Sequence, residues 1–247
     1  MAFPSEIEPM PADIVKVLAP SGILRAGINL SNFLLVSGRT ADGGPAGVSP
    51  DVARAIADYL GVDIHYVPYP SPGLLADAAG SDAWDIGLIG AEPQRAEVIS
   101  FTPAYAEIEA TYLVPAGSRI NAIDEVDQAG IRIAVTGRTA YGLWLERNIS
   151  KAELFQTSSF DETLKDFREQ EMEALAGLRP YLITDAAALP GARILPGRFM
   201  SVQQAVGTPK EKQEAIPYLT RFVEGALTSG FIADLIRKHD VQGLSVA

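Results

Sequence analysis

Arg95 is the residue of this chain whose type and position best suit the binding of a small anion. It follows a predicted buried strand, 85–90, and falls in the first turn of a helix predicted to begin at Pro93. The helix dipole disfavours a cation there. A bound carboxylate would offset that cost through charge-assisted hydrogen bonds, each worth about 1.5–3 kcal/mol. The spacing fits equally well a surface arginine paired with Glu92 or Glu97.

The composition of the 247-residue chain excludes several kinds of functional site. No cysteine is present, which excludes disulfides, thiolate metal sites and cysteine nucleophiles. The formal net charge of −11 argues against binding to nucleic acid or to an anionic membrane surface. His65 and His239 have no partners at metal-ligand spacing, and neither a nucleophile elbow nor a phosphate loop occurs. We therefore expect no catalytic residues, no metal and no cofactor.

Short apolar strands alternate with amphipathic helices, which predicts an α/β fold. Ser49 is the predicted N-cap of one helix, with Pro50 at its first position and Gly61 at its end. The predicted strands are 23–28, 62–67, 85–90, 131–135, a short one around 154–155, and 181–184. The other predicted helices begin at Ser71–Pro72 and at Pro93, or span 139–147, 160–175 and 211–238.

Two extended β-prone runs, 108–114 and 199–206, are candidates for crossings between two folded lobes. We expect one discontinuous lobe from residues 1–113 plus 207–247 and a second lobe from 114–206. The predicted architecture is therefore α/β, with two Rossmann-like lobes joined by two hinge crossings. In such folds ligands bind at the carboxyl ends of strands and at helix N-termini.

Three segments in and after the predicted strand at 85–90 resemble the signature of family 3 extracellular solute-binding proteins. They are 84–87 (WDIG), 93–95 (PQR) and 99–105 (ISFTPAY). The members of this family are the polar amino-acid receptors of ABC importers. The resemblance implies the type II periplasmic-binding-protein fold, with the ligand in the cleft between the lobes. It also implies that Arg95 grips the α-carboxylate of the ligand.

Further segments resemble the family in the expected order, at 24–27, 47–53, 132–139 and 177–185. The resemblance implies that Thr139 also meets the carboxylate, while Arg138 stands where a second threonine is usual. It implies that Asp185, taken as the last residue of a strand, binds the ammonium group of the ligand. Because aspartate is a favoured N-cap residue, Asp185 could instead cap a helix beginning at Ala186. Gly90 stands where the family usually places a hydroxyl side chain.

The segment after the first strand, 29–33, would form the wall beside the ligand's side chain. Phe33 is either a stacking surface or ordinary core next to Leu34. Family members that bind basic ligands tend to carry an acid near Asn29, so the resemblance argues against lysine or arginine here. The candidate ligand-binding residues are Arg95, Thr139, Asp185, Gly90, Ala91, Asn29, Asn32, Phe33, Arg138 and Leu88.

The expected function is capture of a small amino acid, or a related zwitterion or carboxylate, for ABC-type import by a monomer. One alternative is an enzyme like the cyclohexadienyl dehydratases, which the resemblance also covers, but Ala186–Ala188 supply no acid after Asp185. Another is a cytoplasmic amino-acid sensor without a transporter. Residues 1–6 show no basic or apolar leader features. The protein is accordingly expected in the periplasm after removal of a leader, or in the cytoplasm.

Overall fold

The computed structural model describes residues 8–247, so the features noted in residues 1–6 lie outside the described residues. The chain first forms α1 Ala12–Leu18, β1 Ile23–Asn29, β2 Gly38–Arg39, β3 Pro45–Ala46, α2 Val48–Leu60, β4 Asp63–Tyr69, α3 Pro72–Asp77, β5 Ile86–Ala91 and β6 Ile99–Val114. It continues through β7 Arg132–Thr136, α4 Ala140–Asn148, β8 Glu153–Thr157, α5 Phe160–Glu169, β9 Ala174–Leu178, α6 Arg179–Ala187 and β10 Arg193–Ile194. It ends with β11 Met200–Pro209, α7 Ile216–Thr228, α8 Phe231–Lys238 and β12 Ser245–Val246.

Two long strands, β6 and β11, carry the chain from one folded unit to the other and back. Unit 1 contains the described chain up to Glu107 together with Gln203–Ala247, and unit 2 is Ile108–Val202. The boundaries predicted after residues 113 and 206 fall a few residues farther along the same two strands.

In unit 1, β1 lies between β4 and β5, and it pairs with both in parallel. Strand β11 runs antiparallel to β5. Glycines on β1 and β5 make room for the buried indole of Trp84, because a Cβ at Gly27 or Gly87 would lie 3.3 Å from that ring. The indole N–H donates to the carbonyl oxygen of Leu75 on α3. This packing fixes the three parallel strands, whose carboxyl ends lie at one edge of the sheet.

Helix α2 begins earlier than predicted, because Gly47 rather than Ser49 is its N-cap. A Cβ at Gly47 would lie 2.3 Å from a backbone oxygen, so only glycine fits where the chain enters the helix. Ser49 is instead buried in the first turn, with its hydroxyl 2.8 Å from that of Tyr105. Two other predictions are confirmed: Gly61 ends α2 in the left-handed conformation, and the Ser71 hydroxyl caps α3.

In unit 2, β7 lies between β8 and β9 and is parallel to both, and β9 pairs antiparallel with β6. The core on one side of this sheet joins buried residues of β6, β7, α5, β9 and α6. Its buried members are Leu113, Ala134, Phe167, Met172, Leu175 and Leu182.

The prediction for 160–185 is wrong in two respects. The helix predicted to reach residue 175 ends at Glu169, and the predicted strand at 181–184 belongs to α6. The strand of this region is β9, and all five of its residues are buried. Pro180 lies in the first turn of α6, where its fixed φ suits a helix start and its missing N–H costs nothing.

Candidate functional site

Arg95 lies just beyond the carboxyl end of β5, in unit 1. The predicted α-helix at Pro93 is in fact a single 3₁₀ turn, Arg95–Glu97, so a helix macrodipole contributes little here. The residue is only 4% exposed. Its Nη1 donates to the carbonyl oxygen of Gly90, at 2.8 Å. The guanidinium is therefore turned back towards the strand end from which the turn departs.

Glu92 holds the turn that carries Arg95. Its Oε2 accepts hydrogen bonds from the backbone amides of Gln94, at 3.0 Å, and Arg95, at 3.2 Å. The residue is buried. The sequence offered Glu92 as a surface partner for Arg95; the structure buries both residues, and Oε2 of Glu92 accepts from the arginine backbone amide. Glu92 acts as the cap of this turn and so positions Arg95.

The three other candidate residues on β5 form the strand that leads to Arg95. Leu88 is buried in the strand, between Ile28 on β1 and Val206 on β11. Gly90 and Ala91 lie next to β11 at the end of β5, and the carbonyl of Gly90 accepts the bond from Arg95. Leu88, Gly90, Ala91 and Arg95 are thus brought together on one strand and the turn that follows it.

The candidates after β1 form a hydrogen-bonded loop. Oδ1 of Asn29 accepts from the backbone amide of Ser31 at 3.2 Å and from its hydroxyl at 2.8 Å. Oδ1 of the buried Asn32 accepts from the amide of Leu34, at 3.2 Å. Phe33 is 45% exposed, whereas Leu34 is buried, so the core is filled by the leucine and not by the phenylalanine. Asn29 ends β1, the strand next to β5, and therefore lies at the same sheet edge as Gly90.

In unit 2, Thr139 is the N-cap of α4. Its hydroxyl accepts from the amide of Gly142 at 3.0 Å and donates to the carbonyl oxygen of Thr136 at 2.8 Å. A Cβ at Gly142 would lie 2.9 Å from that hydroxyl, so glycine makes the cap possible. The single hydroxyl hydrogen is used within the chain, so the Thr139 hydroxyl offers no donor to a carboxylate ligand.

Arg138 precedes this cap and is exposed. Its φ of 60° lies in the left-handed region, which costs a residue with a Cβ about 1–2 kcal/mol. The sequence position therefore carries a strained backbone as well as a cation, immediately after the carboxyl end of β7. Arg138 and Thr139 are adjacent at one strand end of unit 2.

Asp185 does not end a strand, and it does not cap a helix beginning at Ala186, because it lies within α6. At 1.5 Å of rise per residue, it is about 9 Å along the helix axis from Arg179. Partial burial raises the pKa of its carboxyl group, and the negative charge of Asp161 raises this pKa further. Asp185 thus lies within α6 and is not the last residue of β9.

The sequence analysis missed the residue that actually ends β9, Leu178, and the charged group beside it. The carboxylate of Glu109 accepts from Nε of Arg179 at 2.7 Å and from Nη1 of Arg198 at 2.9 Å. These two arginines lower the pKa of Glu109. The Arg179–Pro180 pair directly after an apolar run was the available signal for a strand end followed by a helix start.

Within residues 8–247, no group of three or more histidine or acidic side chains is placed to hold a metal ion. Over the same residues, none of the helices has the length and apolar character needed to cross a membrane.

Comparisons with known proteins place these features in a family. The sequence profile of the bacterial extracellular solute-binding proteins, family 3, matches residues 27–241. A cyclohexadienyl dehydratase of Pseudomonas aeruginosa is 28% identical over 138 residues, which are 54% of this chain and 51% of that enzyme. The match thus spans about half the length of that relative.

Two solved structures illustrate the shared fold. One is a solute receptor for L-cysteine of Neisseria gonorrhoeae, with a TM-score of 0.74, 17% identity, and coverage of 93% of this chain and 95% of the receptor. The other is a mutant of ArgBP from T. maritima, with a TM-score of 0.72, 18% identity, and coverage of 93% and 100%. The predicted type II periplasmic-binding-protein fold is confirmed. Because the profile covers most of its length, the chain belongs to the bacterial extracellular solute-binding proteins of family 3.

Proposed function

We propose that this chain is a non-catalytic binding protein that captures a small amino acid or related carboxylate through Arg95. The observation that carries the proposal is the guanidinium of Arg95, buried at the carboxyl end of β5 and held by the carbonyl of Gly90. Arginine binds carboxylates through two parallel hydrogen bonds, which gives both energy and orientation. The structural relatives include a solute receptor for L-cysteine, which supports the ligand class.

Delivery of the ligand to an ABC importer, from a location outside the cytoplasmic membrane, is the second part of the proposal. It is supported by membership of an extracellular solute-binding family and by relatives described as components of amino acid ABC transporters. A transporter-independent sensor in the cytoplasm is the competing case. Fractionation of the cells that express the protein decides between them, because a periplasmic or surface-bound fraction is expected only for a transport component.

Isothermal titration calorimetry tests the binding function. Protein that has been unfolded and refolded, to remove any carried-over ligand, is titrated with a panel of amino acids and small carboxylic acids. The native protein should bind at least one compound, and Arg95→Ala should weaken that binding by about 100-fold or more, as expected for losing two charge-assisted hydrogen bonds. Arg54→Ala is the matched control, because Arg54 is exposed on α2 and forms a surface ion pair with Asp58.

Arg95→Lys keeps the charge but removes the planar fork, so it should lie between the native protein and Arg95→Ala. Circular dichroism melting of each variant separates loss of ligand from loss of fold. A folded Arg95→Ala variant with native affinity would show that the anchor is elsewhere. A folded native protein that binds nothing in the panel would overturn the proposed function.

A dehydratase activity is the second candidate, because a cyclohexadienyl dehydratase is 28% identical over half its length. A general acid must lie within reach of its proton acceptor. Between the end of β9 at Leu178 and Asp185, the sequence RPYLIT contains no carboxyl group, and alanines follow Asp185. Incubation with prephenate and with arogenate tests this candidate directly, and turnover of either compound would replace the binding function by an enzymatic one.

A further inference from the structure

We propose that the ligand held at Arg95 carries an uncharged, apolar side chain, branched or ring-bearing, and that this side chain packs on unit 1 against Leu30, Phe33 and Tyr69. These three residues are called the side-chain wall below. The inference rests on the proposed function, because it assumes a carboxylate held at Arg95. It names the class of ligand from contacts that lie within unit 1 alone.

The side-chain wall lies at the same edge of the sheet as the end of β5. Strand β1 lies between β4 and β5, with Asn29 paired to Tyr69 on one side and Ile28 paired to Leu88 on the other. Neighbouring strands are about 4.8 Å apart, so the end of β4 is about 10 Å across the edge from the end of β5. Ligands of open α/β sheets bind outside this edge. A ligand anchored by Arg95 therefore has the segments that follow β1 and β4 within reach of its side chain.

The two segments that contain the wall carry no charge. Residues 26–38 and 66–76 include no acidic residue, no basic residue and no histidine, although 21% of the chain is charged. Partial burial raises the pKa of Tyr69, so its phenol is also neutral at neutral pH. A charged ligand side chain would lose water here without meeting a counter-charge in either segment, which is unfavourable. The segments therefore favour a neutral side chain.

The surface of the wall is largely apolar. Phe33 is 45% exposed, and Leu30 and Tyr69 are each partly exposed. The side chain of Tyr69 also packs against the buried cluster that contains Leu75 and Trp84, which fixes its position. Removing apolar surface from water is favourable in proportion to the area removed. An apolar ligand side chain placed against Phe33 would gain from this effect, whereas a polar one would lose hydration.

Hydrogen bonds within the chain hold the wall in place and occupy polar groups beside it. The amide of Leu30 donates to the carbonyl oxygen of Tyr69 at 2.9 Å, which ties the two segments together. Oδ1 of Asn29 accepts from both the amide and the hydroxyl of Ser31, so both of its lone pairs are used. Oδ1 of Asn32 accepts from the amide next to Phe33 in the chain, that of residue 34. A ligand side chain that donates hydrogen bonds would compete with these contacts.

Calorimetry on the refolded native protein, with amino acids matched in shape, tests the inference. Suitable sets are leucine with asparagine and aspartate, and phenylalanine with histidine. In each set that shows binding, the apolar member should bind about tenfold or more tightly than the others, because it alone gains from leaving water. Arg95→Ala should weaken the binding of the apolar member, because the carboxylate is common to all of these compounds.

Phe33→Ala tests where the side chain lies. It should weaken binding of the apolar member about tenfold, because a large part of the apolar contact is lost. Ile23→Ala is the matched control, since Ile23 is 40% exposed at the amino end of β1, the strand whose carboxyl end leads to Phe33. It should leave the affinity unchanged. Circular dichroism melting of both variants shows whether they are folded.

The outcomes separate this inference from the proposed function. A polar or charged member that binds as tightly as its apolar counterpart, or more tightly, with a folded Arg95→Ala variant that binds it weakly, overturns the inference and leaves the proposed function intact. A folded Phe33→Ala variant with native affinity for the apolar member also overturns it, because the side chain then lies elsewhere. Binding of no compound by the folded native protein, in these sets or in the wider panel, overturns the proposed function and the inference together.

Discussion

A charged residue lies beside each end of β5, and the two residues have different kinds of hydrogen-bond partner. Asp85, just before the strand, is fully buried. It accepts from the backbone amide, Nε and Nη2 of Arg25, at 2.8, 3.1 and 2.8 Å, and from Nζ of Lys212. At the other end, Nη1 of Arg95 bonds a neutral carbonyl. The charge of Asp85 at the amino end is neutralised by other charges of the chain, whereas Arg95 at the carboxyl end is the residue that we propose binds an external anion.

The comparison separates stability from function along a single strand. The network around Asp85 ties β1 and β5 to the Lys210–Ala215 turn before α7, so it joins segments far apart in sequence. The hydrogen bonds from the amide of Arg95 to Glu92 and from Nη1 of Arg95 to Gly90 connect residues of one short segment. Variants at the amino end should therefore change the free energy of unfolding, and variants at the carboxyl end should chiefly change ligand affinity.

The largest effect is expected for Asp85→Ala, which leaves the cations Arg25 and Lys212 without their buried counter-charge. Removing one partner of a buried ion pair typically costs about 3–5 kcal/mol. Urea unfolding followed by circular dichroism measures this loss. Asp58→Ala is the matched control, because its partner Arg54 is 3.7 Å away on the exposed face of α2 and such pairs contribute about 0–1 kcal/mol.

The ligand affinity of the Asp85→Ala variant is the second measurement of this test. Asp85→Ala protein that remains folded at low temperature should bind ligand as the native protein does, because Asp85 lies at the opposite end of β5 from Arg95. A small change in unfolding free energy, or a large change in affinity, would break the proposed division between the two strand ends.

A smaller effect is expected for Glu92→Ala, which removes the cap of the turn after β5. Losing such a cap typically costs about 0.5–2 kcal/mol of stability. Affinity should fall about tenfold as well, because Arg95 loses the hydrogen bond that fixes its backbone. Glu97→Ala in the same turn is exposed and should change neither quantity. Calorimetry and thermal melting of the pair measure both effects, and identical behaviour of the two variants would remove Glu92 from the positioning role.

The sequence predicted the strand before Arg95 and the position of Arg95 after it, because local signals and the family signature agree there. Strand β5 contains only apolar residues and glycine. Arg95 follows it at the spacing found in the family signature. Burial of Arg95 and its bond to Gly90 were not predictable, because they depend on how the turn folds back. Only the structure shows that the turn is 3₁₀ and that Glu92 bonds a backbone amide.

The prediction failed around Asp185 because a short apolar run does not by itself distinguish a strand from a buried helix. Both 174–178 and 181–184 fit a strand, and the family resemblance favoured the second because it ends in an acid. In the structure the segment 174–178 is the strand, because it pairs with β7 and β6 as β9. The Arg25–Asp85–Lys212 network could not be predicted from the sequence either, because Lys212 is distant from the other two residues along the chain.

Unit 2 contains two acidic residues whose pKa values are shifted in opposite directions, and they lead to the smallest predicted effect. Two arginines lower the pKa of Glu109, while partial burial and then Asp161 raise the pKa of Asp185. A raised pKa means that ionisation of Asp185 costs the folded state stability, and that this cost grows as the pH rises from the unfolded value near about 3.9. Asp185→Asn should therefore be more stable than the native protein at pH 7.

The gain should stay below about 1 kcal/mol, because Asp185 is only half-buried and solvent screens its charge. It should disappear as the pH falls well below about 3.9, where the carboxyl group is protonated in both the folded and the unfolded state. Glu109→Gln is the matched variant of opposite sign, since the lowered pKa makes its ionised form stabilising, and it should lose stability at pH 7 but not at low pH. Urea unfolding of both variants across pH 3–7 measures the two trends. If Asp185→Asn is less stable than the native protein at pH 7, Asp185 has a cationic partner within the folded chain, contrary to its raised pKa.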